Sequence, residues 1–366
     1  MNGFLAGLTM LDWRQAVMLC VGFVLIYLAI KKNYEPALLL PIGFGTILAN
    51  IPVSAAIGEQ GPLTILFNVG ISTELFPLLI FIAVGAMIDF TPLLTNPYML
   101  LFGAAAQFGI FATIALATLC GFPLREAASI GIIGAADGPT SIYVANKFAQ
   151  NLLGPISVAA YSYMALVPII QPPVVKLLTT QQERKIHMDY HSGSVSKTVK
   201  IVFPIAVTCL AGIVAPASVA LIGFLMFGNL IRECGVLESI SQTAQKELAN
   251  LVTILLGLSI ASTMTGQNFV RLQTLIIILL GLAAFIFDTA GGVIFAKFLN
   301  LFRKEKINPM IGACGISAFP MSARVIHQMG QKEDPFNFLL MPAVSANVGG
   351  QIASVIAGGL ILSLVH

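Results

Sequence analysis

Asp137 is the residue whose chemistry most needs an explanation, because it lies inside an otherwise apolar run, IGIIGAADGPTSIYVANKF. Pro139 removes a backbone donor and Gly138 loosens the chain, so this run predicts a broken helix. Carbonyls freed at the break, the carboxylate and the hydroxyls of Thr140 and Ser141 would together offer oxygen ligands suited to a small cation such as Na⁺. The alternative is a protonated aspartate that is hydrogen-bonded inside a packed helix bundle.

A second interrupted run, INPMIGACGISAFPMSARVIHQ, offers a matching set of polar residues and helix breakers. We expect its glycines and prolines to unwind the backbone as they do near Asp137. Arg324 presents a planar guanidinium suited to carboxylates, although it could instead be a countercharge to Asp137 or a snorkelling residue at the end of a span. The candidate residues of this run are Asn308, Gly312, Gly315, Ser317, Pro320, Ser322 and Arg324.

Two further runs carry polar groups among apolar residues. SANVGGQIASVIAGG contains Asn347, Gln351 and Ser354, and its glycines also suit close helix packing. AAYSYMALVPIIQPP contains Tyr161 and Tyr163, which are either interfacial aromatics or candidate proton donors.

The composition places all of these groups in a membrane protein. Of the 366 residues, 57% are hydrophobic and 10% are charged, whereas soluble domains carry about 25% charged residues. A charged side chain at the bilayer centre costs at least about 2.5 kcal/mol, so Asp137 should face a cavity or a partner. Asp288, in AFIFDTAGGVIF, is a second such acid, with either a functional role or a hydrogen-bonded structural one.

Other classes of site and partner are disfavoured. The five cysteines are scattered without paired spacing and the four histidines cluster with none of them, which argues against a zinc site or a disulfide framework. The first apolar run lacks a small-residue cleavage site, so we expect residues 1–35 to contribute a retained membrane helix and not a signal peptide. No nucleic-acid partner is expected.

One long polar stretch, residues 179–200, divides the chain, and its lysines and arginine predict a cytoplasmic linker. PALLLPIGFGTILANIP returns as PASVALIGFLMFGNLIR at a shift of 180 residues, and GAADGPTS returns as GISAFPMS at a shift of 181. We therefore expect two repeats, residues 36–178 with a broken helix near 134–141 and residues 201–366 with a broken helix near 308–324.

This organisation predicts an all-α polytopic membrane protein with about 10–12 transmembrane helices in two structural repeats. Interrupted spans in corresponding places are typical of secondary-transporter folds, in which discontinuous helices meet at mid-membrane around the binding site. We expect inverted repeats after an extra N-terminal helix, although the region 200–231 could cross once or twice and leaves the parity open.

Four long motifs, in this order, resemble the β-subunit family of the sodium-pumping biotin-dependent decarboxylases, which act on oxaloacetate, methylmalonyl-CoA or glutaconyl-CoA. The resemblance covers nearly the whole chain. The motifs are GAADGPTSIYVANKF, NLIRECGVLESISQTAQKELANLVTILLGL, TAGGVIFAKFLNLFRKEKINPMIGACGISAFPMSARV and EDPFNFLLMPAVSANVGGQIASVIAGG.

The resemblance implies a multi-pass protein of the bacterial cytoplasmic (inner) membrane that decarboxylates carboxybiotin, moves Na⁺ outward and consumes a proton. The carboxybiotin would be carried by a partner, because this chain has no biotinylation motif around a Met-Lys-Met core and we expect no covalent biotin on it. The implied partners are a biotin-carrier and carboxyltransferase subunit and a small single-span membrane subunit, and we also expect a homo-oligomer.

The resemblance and the chemistry of the side chains together suggest roles for residues. Arg324 would bind the substrate carboxylate, Tyr163 would deliver a proton, and Asp137 would alternate between Na⁺ and H⁺. The expected sodium ligands are Asp137, Thr140, Asn308, Ser317 and Asn347. The expected structural breaks are Gly138, Pro139, Gly312 and Pro320, and the secondary candidates are Asp288, Gln351 and Ser322.

The last motif departs from the oxaloacetate branch at Pro342, at Gln351 and in the Ser-Ala-Asn of residues 345–347, which favours the acyl-CoA branch. Two other functions stay open on sequence grounds. One is a Na⁺-coupled secondary transporter of an organic anion, with Arg324 binding its carboxylate. The other is a structural membrane subunit without an ion path, which the intramembrane charges disfavour.

Overall fold

The computed structural model describes residues 10–33, 36–188 and 193–365. Within these ranges the chain is helical and contains no β-strand, which confirms the all-α prediction. In the first half the helices are α1 (Trp13–Lys32), α2 (Pro36–Asn50), α3 (Pro62–Gly70), α4 (Leu75–Met87), α5 (Thr91–Thr95), α6 (Leu100–Ala106), α7 (Phe108–Leu119), α8 (Leu124–Gly131), α9 (Gly138–Phe148), α10 (Leu153–Ala165), α11 (Val167–Leu178) and α12 (Gln181–Arg184).

The second half continues this architecture. Its helices are α13 (Lys197–Val214), α14 (Val219–Glu233), α15 (Glu238–Thr243), α16 (Ala249–Ala261), α17 (Gly266–Phe269), α18 (Leu272–Phe302), α19 (Met321–Glu333) and α20 (Leu340–Leu364). Short 3₁₀ segments lie at Pro97–Met99, Ile132–Ala135, Gln150–Leu152, Pro216–Ser218 and Pro309–Gly315, and a π-helical turn lies at Ala244–Leu248.

Among the described residues, 5 helical stretches are long and apolar enough to cross a membrane, or up to 7 if each of two bent pairs is one span. The bent pairs are α3 with α4, at 65°, and the 150–165 helix with α11, at 69°. The multi-pass membrane class is thereby confirmed. Fewer full-length spans than predicted are present because glycine and proline divide several apolar runs into shorter helices. The five are Trp13–Lys32, Pro97–Leu119, Lys197–Val214, Leu272–Phe302 and Leu340–Leu364.

The helices pack in two groups, and each group takes helices from both halves of the chain. In the first group α4 packs on α14, and α2 packs on α1 and α16. In the second group α18 packs on α7 and α10, and α20 packs on α6. Contacts of α10 with α16 and of α9 with α4 join the groups, so residues of both can line a space between them.

Helix α18 is the support on which both interrupted runs rest. A Cβ on Gly292 would overlap the carbonyl oxygen of Gly312, so the two backbones touch. One helical turn earlier, it is the side-chain Oδ2 of Asp288 that lies against Gly134. Residues four apart share a face of a helix, so one face of α18 contacts both interruptions and fixes their separation.

Charged residues collect on the side of the protein that carries residues 179–188, which we call the linker face. Ion pairs there join Arg184 to Glu333 at 2.7 Å and Lys297 to Glu183 at 3.1 Å. That this linker is cytoplasmic stays a prediction from its lysines and arginine.

Candidate functional site

The first break comprises residues 132–137. A 3₁₀ turn ends at Ala135, Ala136 adopts a left-handed conformation (φ 52°), and Asp137 is extended. Asp137 then acts as the N-cap of α9, since its Oδ1 accepts a hydrogen bond from the Thr140 amide at 3.2 Å. Pro139 fits the first turn of the new helix, where no backbone donor is needed. The helix is therefore interrupted at the acid itself.

The second break comprises residues 308–320. It contains the buried 3₁₀ segment Pro309–Gly315 and an irregular stretch that leads to α19. The two breaks meet directly, because the Ser317 amide donates to the carbonyl oxygen of Ala135 at 2.9 Å. Asn347 of α20 fastens the same stretch by donating to the carbonyl oxygen of Ile316 at 2.6 Å. Interrupted backbone from each half of the chain thus shares one buried location.

Asp137 is 5% exposed and contacts α20 as well as its own helix. Ser354 donates from Oγ to the second carboxylate oxygen of Asp137 at 3.1 Å. Ser317 is hydrogen-bonded to Ser354 and also donates to the carbonyl oxygen of Gly350 at 3.1 Å. Gln351 donates from Nε2 to the carbonyl oxygen of Ser317. Three of the predicted residues, Asp137, Ser317 and Gln351, are thus brought together, and Ser354 joins them.

Two of the predicted sodium ligands have buried oxygens without a hydrogen-bond donor. The Thr140 hydroxyl oxygen and the Asn347 side-chain carbonyl are fully buried and accept no hydrogen bond among the described residues, and the Thr140 side chain lies against the Asp137 carboxylate. An unsatisfied buried oxygen is costly, and a bound cation would satisfy it. A single carboxylate together with neutral oxygens is a set of ligands that suits Na⁺. Within the described residues no group of three His, Cys, Asp or Glu side chains could bind a transition metal.

A cavity of about 390 Å³ opens beside the Asp137 carboxylate, between the two helix groups. Ser317, Gln351 and Thr253 line it together with Asp137, and most of its other lining residues are apolar. The Tyr161 ring also lines this cavity and lies against Gly138, where a Cβ would overlap the ring. Gly138 is therefore required for close approach of an aromatic ring as well as for the break.

Tyr163 lies elsewhere. Its hydroxyl donates to the carbonyl oxygen of Ile278 in α18, and its ring packs beside Gly281. It is not among the residues that line the cavity next to Asp137. The geometry therefore favours Tyr161 over Tyr163 as the tyrosine that meets a molecule in the cavity.

Asn308 is buried at the start of the second break, but its carboxamide is engaged away from Asp137. Its Nδ2 donates to the carbonyl oxygens of Arg184 and Ile186, both at 2.9 Å, and its Oδ1 accepts from the Met310 amide at 3.1 Å. Asn337 donates to the same two linker oxygens at 3.1 and 3.3 Å. Two asparagines thus clamp the linker, an arrangement that favours positioning of the linker over sodium binding by Asn308.

Arg324 and Ser322 point to different surroundings on α19. Arg324 is exposed, and none of the ion pairs among the described residues involves it. Ser322 is buried and bonded to Gln171, whose Nε2 also donates to the carbonyl oxygen of Ala313 at 2.7 Å. Ser322 therefore ties α11 to the second break, and Arg324 is not a countercharge in contact with Asp137.

Asp288 is fully buried, and its carboxylate caps the second part of a kinked helix. Its Oδ1 accepts from the Ile110 amide at 3.1 Å, while Oδ2 faces Gly134 and has no hydrogen-bond partner among the described residues. This geometry supports the structural alternative, in which Asp288 joins α18 to α7 and to the first break.

The functional residues that the sequence did not reveal lie mostly among those that hold the two breaks and the linker in place. Ser354 was visible as a polar residue of the last apolar run, but nothing in the sequence pointed it at Asp137. Gln171 had the signal of an amide within an apolar, proline-rich run. Asn337 follows a cluster of charges in EDPFNF and carried no signal beyond its polarity.

The linker face owes part of its order to ion pairs outside the membrane-spanning helices. Arg184 and Glu333 have side chains 13% and 15% exposed, and the hydrogen bond from Arg184 lowers the pKa of Glu333 below its ordinary value of 4.5. The Phe336 amide and the His187 ring lower the pKa of Asp334 in the same way. Both acids are thus ionised partners of the linker at neutral pH.

Comparison with known proteins identifies the family. A family model described as Na⁺-transporting oxaloacetate decarboxylase beta subunit matches residues 14–365. Methylmalonyl-CoA decarboxylase subunit beta of Veillonella parvula is 52% identical over 364 residues, which are 100% of this chain and 95% of the relative. Glutaconyl-CoA decarboxylase subunit beta of Acidaminococcus fermentans is 51% identical over 98% of this chain and 96% of the relative. The oxaloacetate decarboxylase beta chain of Klebsiella pneumoniae is 45% identical over 98% of this chain and 97% of the relative.

These matches cover the chain from end to end, and they include both breaks and the Asp137 cluster. The chain therefore belongs to the β-subunit family of the Na⁺-transporting decarboxylases.

Proposed function

We propose that this protein is the membrane subunit of a decarboxylase complex, where it decarboxylates carboxybiotin and couples the reaction to outward transport of Na⁺. The observation that carries the proposal is the meeting of both breaks at Asp137, beside buried oxygens without donors and a cavity. The carboxybiotin would be carried by a partner subunit with biotin-carrier and carboxyltransferase functions. A small single-span subunit, a homo-oligomeric assembly and an inner-membrane location complete the proposal.

Sodium would bind as cargo between the two breaks. Asp137 supplies the charge, and the Thr140 hydroxyl and the Asn347 carbonyl supply oxygens that lack donors. Ser317, within the hydrogen-bonded cluster, is a further candidate ligand. Either Na⁺ or a proton can neutralise a buried carboxylate, so the two compete at Asp137 and each lowers the affinity of the other.

The chemical step is the cleavage of the bond between a ureido nitrogen of biotin and its carboxyl carbon. The electron pair of that bond stays on nitrogen, which takes up a proton, and CO₂ leaves. The apolar cavity walls strip water from the substrate carboxylate, which favours its loss. Tyr161, which lines the cavity, is the better placed tyrosine to give the proton, and a proton from the far side would restore it.

The last motif favours the acyl-CoA branch of the family, and the identities to the relatives support that prediction. Identity is 52% and 51% to the β-subunits named for methylmalonyl-CoA and glutaconyl-CoA, and 45% to the one named for oxaloacetate. We therefore propose that the complex decarboxylates an acyl-CoA, which would bind to the carboxyltransferase and not to this chain.

Asp137→Asn tests the proposal in the purified complex reconstituted into liposomes. The substitution keeps the size of the side chain and removes the charge that sodium needs, so CO₂ release and ²²Na⁺ uptake should both fall at least about a hundredfold, the scale of losing a group essential to the step. Asp334→Asn, at the exposed linker face, is the control and should retain both activities. Full activity in Asp137→Asn would overturn the proposal.

The alternative, a Na⁺-coupled carrier of an organic anion, finds support in the cavity, which has room for a small solute. The residue expected to bind the anion in this alternative is Arg324, and Arg324 does not line that cavity. A carrier should accumulate solute in liposomes that contain this chain alone, whereas the proposed pump should require its biotin-bearing partner for any ²²Na⁺ uptake.

A further inference from the structure

The face of the protein opposite the linker face, which we call the far face, is located by α18. This helix has 31 residues and is about 46 Å long at 1.5 Å per residue. Near its end, Lys297 pairs with Glu183 of the linker at 3.1 Å. Near its start, Gln273 donates to Glu126 at 3.5 Å, and Asn151 donates to the same carboxylate at 3.2 Å. Helix α9 ends just before Asn151, so it leads from the first break to the far face.

The cavity at the first break stops short of the far face. In that direction its last lining residues are Ile80 on α4 and Pro139 on α9. One helical turn further out, Phe76 on α4 and Tyr143 on α9 are each 6% exposed. A Cβ on Gly70 would overlap the Phe76 ring, so α3 packs behind that ring. Two buried aromatic rings therefore close this side of the cavity.

An ion pair lies beyond these rings and joins the two helix groups. Nζ of Lys147, on α9, is 2.7 Å from Oε1 of Glu74, which directly precedes α4. Tyr143 is hydrogen-bonded to the same carboxylate, and the Lys147 ammonium lies 5.8 Å from the centroid of the Tyr143 ring. The Glu74 side chain is 15% exposed and that of Lys147 is 49% exposed, so the pair stands at the edge of the buried region.

The turn that carries Glu74 is attached to α9 by polar contacts. Asn146 donates to the carbonyl oxygens of Ile71 and Ser72 at 3.1 and 3.4 Å. Glu74 has φ 65°, a left-handed conformation that is strained for a residue with a side chain, at the 65° bend between α3 and α4. Hydrogen bonds and partly exposed ion pairs contribute little net free energy, because water can replace either partner. A contact of this kind can open and close in every cycle, unlike interlocked apolar side chains.

We propose that Glu74, Tyr143, Asn146 and Lys147 form the far-side gate of the sodium path, and that Na⁺ leaves only after Lys147 and Glu74 separate. This inference rests on the proposed function and adds the residues that regulate release on the far face, which is the outer face when the linker is cytoplasmic. A pump must close its ion site to one face while the site is open to the other, since a path open to both faces would dissipate the gradient.

The charges of the pair suit this role. While the gate is closed, the Lys147 ammonium neutralises Glu74 and repels a cation that approaches from either side. When α9 and α4 move apart, the ammonium moves into water, as the exposed half of its side chain allows, and the carboxylate is left free. The freed carboxylate then attracts Na⁺ from Asp137 towards the far face.

A reversible crosslink across the gate tests the inference in the whole complex. Glu74→Cys with Lys147→Cys is bridged by a short bifunctional methanethiosulfonate, because the native side chains meet at their ends and a direct disulfide needs Cα atoms within about 7 Å. Glu126→Cys with Gln273→Cys is the matched control, since it joins α8 to α18 within the second helix group on the same face. CO₂ release from the carboxylated carrier domain is measured before bridging, after bridging and after reduction by dithiothreitol. The unsubstituted complex, with its native cysteines, receives the same treatment.

The bridged gate should release about one CO₂ per protein and then turn over at least about tenfold more slowly, because the chemistry precedes the opening of the gate. Dithiothreitol should restore turnover, which also shows that the variant folds. The bridged control pair and the unsubstituted complex should keep their turnover.

Removal of the charges tests closure separately. Glu74→Gln and Lys147→Met should each raise passive ²²Na⁺ efflux from loaded liposomes about fivefold in the absence of carboxybiotin, the scale of a partly exposed ion pair. Glu126→Gln removes another acid of the far face and should leave the efflux within about twofold of wild type.

Three outcomes would overturn the inference. Sustained turnover in the bridged gate, equal to that of the bridged control pair, would mean that this contact stays closed throughout the cycle. Loss of the first CO₂ as well would mean that the bridge acts on the chemistry and not on release. Unchanged efflux in both Glu74→Gln and Lys147→Met would mean that the pair does not close the path. None of these outcomes bears on the proposed function, which fails only if Asp137→Asn retains sodium-dependent turnover.

Discussion

Replacement of Asn308 separates two interpretations of that residue, because sequence predicts a sodium ligand while the structure has it clamping the linker. Asn308→Asp keeps an oxygen for the Met310 amide and would preserve or strengthen a sodium ligand. It removes the two hydrogen bonds of 2.9 Å that the side chain donates to the carbonyl oxygens of Arg184 and Ile186. Asn337→Leu, the matched variant, removes the second pair of donors to the same oxygens.

The expected size of the effect follows from the shared acceptors. Each single variant loses two hydrogen bonds at about 1 kcal/mol each, while the other asparagine still serves both oxygens. In the double variant both oxygens lose these donors, which adds a desolvation cost of about 1–3 kcal/mol for each. The two substitutions should therefore be more than additive, as expected for residues that act on one group.

Trypsin cleavage at the exposed Lys185, in the intact complex, reports opening of the linker. When the linker recloses faster than it is cut, the cleavage rate follows the open population. A loss of about 2 kcal/mol should then raise the rate about thirtyfold in each single variant, and the double variant should exceed the product of the two. The Na⁺ concentration that half-saturates decarboxylation should stay within about twofold. A shifted sodium requirement in Asn308→Asp alone, with unchanged cleavage, would refute the clamp.

Three further predictions concern the linker, the tyrosines and the contact of α18 with the second break. The hydrogen bond from Arg184 lowers the pKa of Glu333, so the stability that Glu333 contributes is present at neutral pH and is lost as pH falls below 4.5 through the lowered value. Hydrogen exchange of linker amides should rise in that window, and Glu333→Gln should reduce this pH dependence to the part that Asp334 contributes. Tyr161→Phe should lose most carboxybiotin decarboxylation, because Tyr161 lines the cavity. Tyr163→Phe should keep turnover and lose about 1 kcal/mol of stability, because only a hydrogen bond to Ile278 is removed. The reverse pattern of CO₂ release would contradict the geometry. Gly292→Ala should lower the thermal stability of the complex by about 1–3 kcal/mol, since its Cβ would overlap backbone, while Gly223→Ala, with only an ordinary contact at 3.7 Å, should be tolerated.

Local features of the sequence determined the membrane class, the all-α architecture and the positions of both interruptions. Hydropathy decides whether a segment prefers lipid, and the Gly-Pro pair after Asp137 breaks a helix wherever that helix lies. The same reasoning explains why the acid was found without knowledge of its neighbours, since a buried charge needs a partner in any fold. The internal repeats and their parity stay predictions.

Only the tertiary structure decided which side chains share the site. Tyr161 and Tyr163 lie two residues apart on α10, which turns them about 200° from each other, so only one of them can face Asp137, and sequence does not say which. The direction of Asn308 towards the linker, and of Ser354 towards Asp137, depends on contacts between residues more than a hundred positions apart. Helix breaks are local events and can be inferred from neighbouring residues, whereas the set of oxygens around an ion depends on how distant helices pack, and that information is absent from any single stretch of the chain.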